Sequence, residues 1–200
     1  MATAGTITDY NRVTFQVAFS GGGLSGQNFD SLTAGTTITT VNGVTYTPSN
    51  GTALVTDAYL TTTPPNGLGS TSAGYFEADE TLTITFSSPI TAFAIDINTY
   101  APTSGDYQAM VNDGSSSVIP SVFDVFPNAE TGQFIGFSDS SSFTTVVISP
   151  DTSSPYTYTV DTLVYGDAAA LTGVPEPSTL ALLGLGMTVV GLLARRRKLL

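Results

Sequence analysis

The chain contains no cysteine, no histidine and no tryptophan among its 200 residues. Without cysteine there is no disulfide, no thiolate nucleophile and no zinc–thiolate site. Without histidine the commonest general base and the usual transition-metal ligand are missing. Positive charge is nearly absent as well. The basic residues are Arg12, Arg195, Arg196, Arg197 and Lys198, so residues 13–194 hold no cation. Fifteen carboxylates precede residue 174, which with Arg12 gives that body a formal charge of −14. Such a surface repels phosphate backbones and argues against nucleic acid as a partner. A body without lysine, histidine or cysteine also has no Schiff-base, triad or thiol chemistry.

What is abundant is hydroxyl and turn chemistry: 33 Thr and 21 Ser, with 20 Gly and 11 Pro. That composition favours short strands and turns over helices. Aromatic and β-branched residues are plentiful enough to build a core, which sets the chain apart from a disordered one. The length suits one β domain plus an appendage.

The appendage is the C-terminus. Val174-Pro175-Glu176-Pro177-Ser178 is followed by an almost wholly apolar stretch from Thr179 to Ala194, then by Arg195-Arg196-Arg197-Lys198-Leu199-Leu200. As a helix, residues 179–194 would span roughly 24 Å, and Ser178 and the arginine stems extend that reach into the interface of a ~30 Å hydrocarbon core. Pro177 fits the first turn. The stretch is apolar on every face, so it offers no amphipathic stripe for docking on a soluble core. Gly184, Gly186 and Gly191 would weaken a soluble helix and are common in membrane spans. The expectation is a transmembrane helix in contact with membrane lipid. Its basic stop-transfer residues Arg195, Arg196, Arg197 and Lys198 stay in the cytoplasm, and the acidic body is exported.

Pro-Glu-Pro, a short apolar helix and a terminal arginine cluster, in that order, resemble the PEP-CTERM sorting signal of Gram-negative bacteria. The resemblance covers about 25 residues. It implies that Val174, Pro175, Glu176 and Pro177 form a recognition element for a membrane protease, exosortase, which processes the tail. A glycolipid-anchor signal would end in its apolar tail, not in Arg-Arg-Arg-Lys. Proteins with this signal carry an N-terminal secretory leader, whereas Met1–Ser20 shows no basic n-region and no continuous apolar run. Val13, Phe15, Val17 and Phe19 alternate with polar or small residues, which predicts a strand. The expectation is therefore a misplaced start codon or a truncated gene.

Period-two alternation recurs through the body. Thr36–Val41 and Val44–Thr47 flank Asn42-Gly43, a strong hairpin signal because both turn residues tolerate positive φ. Ala53–Leu60 is a further candidate. Leu82, Ile84 and Phe86 alternate with threonines, Ser87-Ser88-Pro89 reads as a turn, and Phe93, Ile95 and Ile97 share a face of the next strand, Ile90–Ile97. Tyr107–Val111, Phe134–Phe137, Phe143–Ile148 and Tyr156–Tyr165 complete the set. Gly21–Gly26, Thr61–Gly74, Ser115–Ser117 and Ser138–Ser142 read as loops. The pattern predicts an all-β, antiparallel two-sheet sandwich over residues 1–166, a linker over 167–173, and the sorting signal over 174–200. Phe29-Asp30-Ser31-Leu32, Leu82–Ile97 and Phe137 through Val160-Asp161-Thr162-Leu163-Val164-Tyr165-Gly166 loosely resemble jelly-roll domains found upstream of such tails, some of which are compared with carbohydrate-binding modules.

Candidate chemistry is sparse. Glu77, Asp79 and Glu80 form the densest carboxylate group; an acid and a base at a set separation could hydrolyse a glycoside, but acidic residues in a loop before a strand usually solvate a turn. Asp30 and Asp161 are the candidates for a calcium ion, which takes six to eight oxygen ligands. Tyr59, Tyr75, Tyr100, Tyr107, Tyr156 and Tyr158 could stack on a sugar face, with Tyr100 and Tyr156 the loop candidates. Threonine ladders such as Thr81-x-Thr83-x-Thr85 could order water, though without a repeating solenoid they cannot cover a large flat face. Together these features predict a non-enzymatic surface or extracellular-matrix protein with no required cofactor. A carbohydrate-binding module that contacts exopolysaccharide is the alternative, and a glycosidase would need turnover dependent on Glu77 or Glu80.

Overall fold

A computed structural model describes residues 5–99, 104–112, 118–126, 131–151 and 156–168. In chain order the elements are β1 (Ile7–Tyr10), α1 (Arg12–Ala18), β2 (Leu24–Gln27), β3 (Thr40–Val41), β4 (Val44–Pro48), β5 (Ala53–Thr56) and β6 (Gly67–Ser70). β7 (Leu82–Asn98), β8 (Tyr107–Val111), β9 (Val118–Pro120), β10 (Val122–Val125), β11 (Thr131–Pro150) and β12 (Thr159–Gly166) follow.

The spine is the antiparallel pair of β7 and β11, 17 and 20 residues long. They pair from Gly132↔Asn98 to Ser138↔Ala92 and again from Thr145↔Thr85 to Ile148↔Leu82, with an irregularity between. Along the Leu82 end lie β4 and β3 on one side and β8 and β9 on the other. Along the Asn98 end lie β12 on β7, and β10 and β1 on β11. β2 and β6 take the outer edge of β12, and β5 pairs with β6.

The expectation of two separate sheets is corrected in this respect: the described strands are joined by hydrogen bonds into one 12-stranded sheet. Ser87-Ser88-Pro89 and Ser138–Ser142 do not end their strands. They lie at the same level of β7 and β11, so both chains depart from the regular ladder together and resume beyond it, as strands do at a bulge. Both ends of the sheet nevertheless share one core. Ile84, Phe86, Phe93, Ile95, Phe137, Val146, Tyr158 and Leu163 belong to a single buried cluster.

On the Leu82 side one face is core and the other meets solvent. Leu82, Ile84 and Phe86 are buried and Thr83 and Thr85 are half-buried. Thr40, Thr45, Thr85 and Thr145 follow one another across four neighbouring strands, and the first two hydroxyls hydrogen-bond at 2.9 Å. The Asn42-Gly43 hairpin forms as predicted, with φ of 51° and 80°.

On the Asn98 side both faces of β7 are buried, because α1 lies across the second face. This overturns the strand predicted for Val13–Phe19. Asn11 caps the helix, its side chain accepting from the Thr14 N–H at 2.9 Å. Alternation at every second residue also places Phe15 and Phe19 four apart, on one side of a helix. Phe15 packs with Ala94 and Phe134, and Val13 and Val17 face outward, 67% and 71% exposed. Two predicted loops also contain strands, β2 and β6. Among the described residues no helix is long and apolar enough to cross a membrane; residues 179–194 lie outside them.

Candidate functional site

Two buried carboxylates, Asp96 and Asp161, meet on the sheet face beneath α1. Asp96 on β7 lies opposite Asp161 on β12, and Asn98 opposite Thr159. Directly opposed residues of antiparallel strands hold their Cβ atoms roughly 4.5–5.5 Å apart, so the four side chains form a small rectangle. All four are 1% exposed or less. Asn98 Nδ2 donates to Thr159 Oγ1 at 3.1 Å.

Arg12, at the start of α1, closes one side of the rectangle. Its guanidinium pairs with Asp96 Oδ1 and with Asp124 Oδ2 on β10. It also lies 4.9 Å and 5.5 Å from the ring centroids of Phe134 and Phe126, within cation–π range. Two glycines make room for those rings: a Cβ on Gly132 would lie 2.3 Å from the Phe126 ring, and one on Gly136 would lie 2.4 Å from the Phe134 ring. Burial works against the Arg12 charge, and the two carboxylates outweigh it, so its pKa is raised.

The segment 61–66 closes the other side. The Thr63 N–H and hydroxyl both donate to Asp161 Oδ2 at 2.8 Å. The Asn66 N–H donates to Asp30 Oδ1 at 3.1 Å, and its side-chain amide donates to the Leu32 carbonyl at 2.8 Å. The Pro64–Pro65 bond between these contacts is cis. Asp30 and Asp161, paired from the sequence, are thus brought to one segment, which they grip at two points.

The electrostatics follow from burial. Desolvation pushes Asp96 up to about 6, against the pull of Arg12 and of the facing Thr62 hydroxyl and with a push from the Asp161 charge. Burial also raises Asp161; the Thr63 donors oppose this and the Asp30 charge adds to it.

The remaining sequence candidates are dispersed. Glu80 is buried and accepts from the Glu77 N–H at 3.1 Å. Glu77 and Asp79 line an open cavity of about 580 Å³ with Thr81, Ser149, Pro150 and Asp151. Tyr107 and Tyr158 are fully buried in the core, which removes them as sugar-stacking candidates. Tyr156 is half-buried and lends its carbonyl to the Tyr107 hydroxyl at 3.1 Å. Tyr59 and Tyr75 stack with centroids 5.5 Å apart and planes 8° from parallel. Tyr100, Val174, Pro175, Glu176, Pro177, Arg195, Arg196, Arg197 and Lys198 lie outside the described residues. No group of three or more His, Cys, Asp or Glu side chains suited to a metal ion occurs among the described residues.

Sequence reasoning missed Asp96, Asn98 and Arg12. The available signal was the body's one cation, together with a carboxylate and an amide that alternate with isoleucines in Ile95-Asp96-Ile97-Asn98.

Residues 173–198 match the family model described as the PEP-CTERM protein-sorting motif, so the chain carries that motif at its C-terminus. No curated protein matches the chain. Among solved structures, a Podospora anserina GH26-CBM35 beta-(1,4)-mannanase shares 14% sequence identity at a TM-score of 0.37. That match covers 72% of this chain and only 27% of the mannanase. A likeness of that size carries no argument about fold or ligand.

Proposed function

We propose that the chain is an exported, non-enzymatic surface or extracellular-matrix protein whose acidic β body is delivered by its C-terminal sorting motif. The observation that carries this reading is the motif at residues 173–198, which ends in four of the chain's five cations. That charge placement orients a span with the body outside. Transient anchoring of residues 179–194 in lipid precedes processing by an exosortase-type protease, with Val174, Pro175, Glu176 and Pro177 as the recognition element. The buried carboxylates support a structural role. Asp96, Asp161 and Glu80 face the interior, where a substrate has no access to them.

Mass spectrometry of the mature C-terminus, from cells with and without the processing protease, tests the proposal. A product shortened near residue 177 only when the protease is present is the expected result; a full-length tail in both strains refutes processing.

A second reading is a carbohydrate-binding module in contact with exopolysaccharide. The feature that favours it is the parallel Tyr59–Tyr75 pair, half-buried beside the exposed Leu60. Polysaccharide pull-down with the full chain, lost on Tyr59→Ala, is its expected result.

A further inference from the structure

Buried polar atoms are almost always hydrogen-bonded, and each exception calls for a cause. Four side-chain oxygens around the Asp96–Asp161 rectangle are buried without a hydrogen-bond partner: Asp96 Oδ2, Asp161 Oδ1, Asn98 Oδ1 and Thr62 Oγ1. Each carboxylate has one oxygen firmly held, while the other meets only the nearby Thr62 hydroxyl (at Asp96) or Thr162 backbone (at Asp161). Arg12 takes Asp96 Oδ1, and Thr63 takes Asp161 Oδ2. The Asn98 amide nitrogen is already committed to Thr159. Three of the four orphaned oxygens are acceptors only, and the Thr62 hydroxyl that faces Asp96 is the one donor among them. The charge balance is just as uneven: Arg12 pairs with Asp96 and Asp124, Asp161 adds its charge beside Asp96, and Asp30 adds its own beside Asp161.

We propose that this rectangle is a calcium site, with Asp96 Oδ2 and Asp161 Oδ1 as anionic ligands and Asn98 Oδ1 and Thr62 Oγ1 as neutral ones. Calcium fits the donor set. It takes six to eight oxygens in flexible geometry, water and backbone carbonyls completing the shell, whereas magnesium demands near-ideal octahedra. The donors are all oxygen, in a chain without histidine or cysteine, which disfavours zinc and copper. Arg12 and Thr63 act as positioning residues: each occupies one carboxylate oxygen and turns the other toward the shared space. Asp30 is outside the ligand set, its Oδ1 being given to the Asn66 N–H. A divalent ion here would tie β7, β12 and the segment 61–66 together.

The test uses the full-length chain in detergent, stripped with chelator, with calcium chloride and magnesium chloride as probes. Titration calorimetry should give one calcium per chain, with magnesium at least tenfold weaker. At a hundredfold excess over Kd the melting midpoint should rise by roughly 5–10 °C. Asp96→Asn and Asp161→Asn should abolish the rise, and Asp30→Asn should keep it. Asn98→Asp adds a third carboxylate and should tighten calcium at least tenfold, a readout that holds even if the other variants fold poorly. A wild-type chain indifferent to calcium overturns the proposal. So does an Asn98→Asp chain that binds no more tightly, or a response lost in Asp30→Asn and retained in Asp96→Asn.

Discussion

Replacing Arg12 with methionine removes the only cation before residue 195 and keeps an unbranched apolar stem. Asp96, fully buried, then has no counter-ion, and Asp124 and the faces of Phe134 and Phe126 lose their partner. Removing one member of a buried pair costs about 3–5 kcal/mol, because the remaining charge is stranded. The carboxyl has one escape, protonation. With Arg12 present Asp96 already titrates at about 6, and without it the value moves higher. At about pH 5 the side chain is therefore largely neutral in both proteins, and only the Asp124 contact and the ring contacts are lost, about 1–2 kcal/mol together. Thermal unfolding of chelated full-length protein, followed by circular dichroism, measures both losses. At about pH 7.5 the melting midpoint should fall by roughly 6–20 °C, and near pH 5 by about a third of that. Equal losses at the two pH values, or a loss under about 1 kcal/mol at the higher one, would refute the stranded-charge argument.

Two further outcomes follow from the same site. Because burial raises Asp96 and Asp161 in the folded state, the native protein binds more protons than the unfolded chain between the two sets of pKa values. In chelator, stability should therefore be highest near pH 4 and decline as pH rises through about 6; the Asp96 share is about 3 kcal/mol at ~1.36 kcal/mol per pH unit. A thermal midpoint that instead drops steadily between pH 7 and 4 contradicts this. Gly132→Ala would force a methyl against the Phe126 ring and should cost about 1–3 kcal/mol as overpacking; calorimetry showing an unchanged midpoint would mean that the ring can move aside freely.

How much of this was legible in the sequence differs from element to element. The Asn42-Gly43 hairpin and the alternation at Leu82–Phe86 were readable because turn chemistry and a half-exposed face leave direct marks. The helix α1 was not. Apolar residues at every second position satisfy both a strand and the i, i+4 face of a helix, and the choice was made by the Asn11 cap and by the seat for Phe15 on Ala94 and Phe134. Gly67-Leu68-Gly69-Ser70 read as loop for its glycines, yet the strand needs one of them: a Cβ on Gly69 would lie 2.5 Å from the Gly74 carbonyl oxygen. In the site, Asp30 and Asp161 stood out beside turns and strand ends. Asp96 did not, because it lies on the face opposite Phe93, Ile95 and Ile97, a face that is covered by the docking of α1 and by the segment 61–66.

The place of β12 in the sheet has a mechanical consequence. It is the last described strand before the tail, and it sits between β7 on one edge and β2 and β6 on the other. A tug transmitted from an anchored C-terminus along this strand would load the hydrogen bonds on both edges side by side, in shear. An outermost strand pulled the same way would share that load over one edge only. Tethered from this end, the body meets drag through one of its most firmly gripped segments.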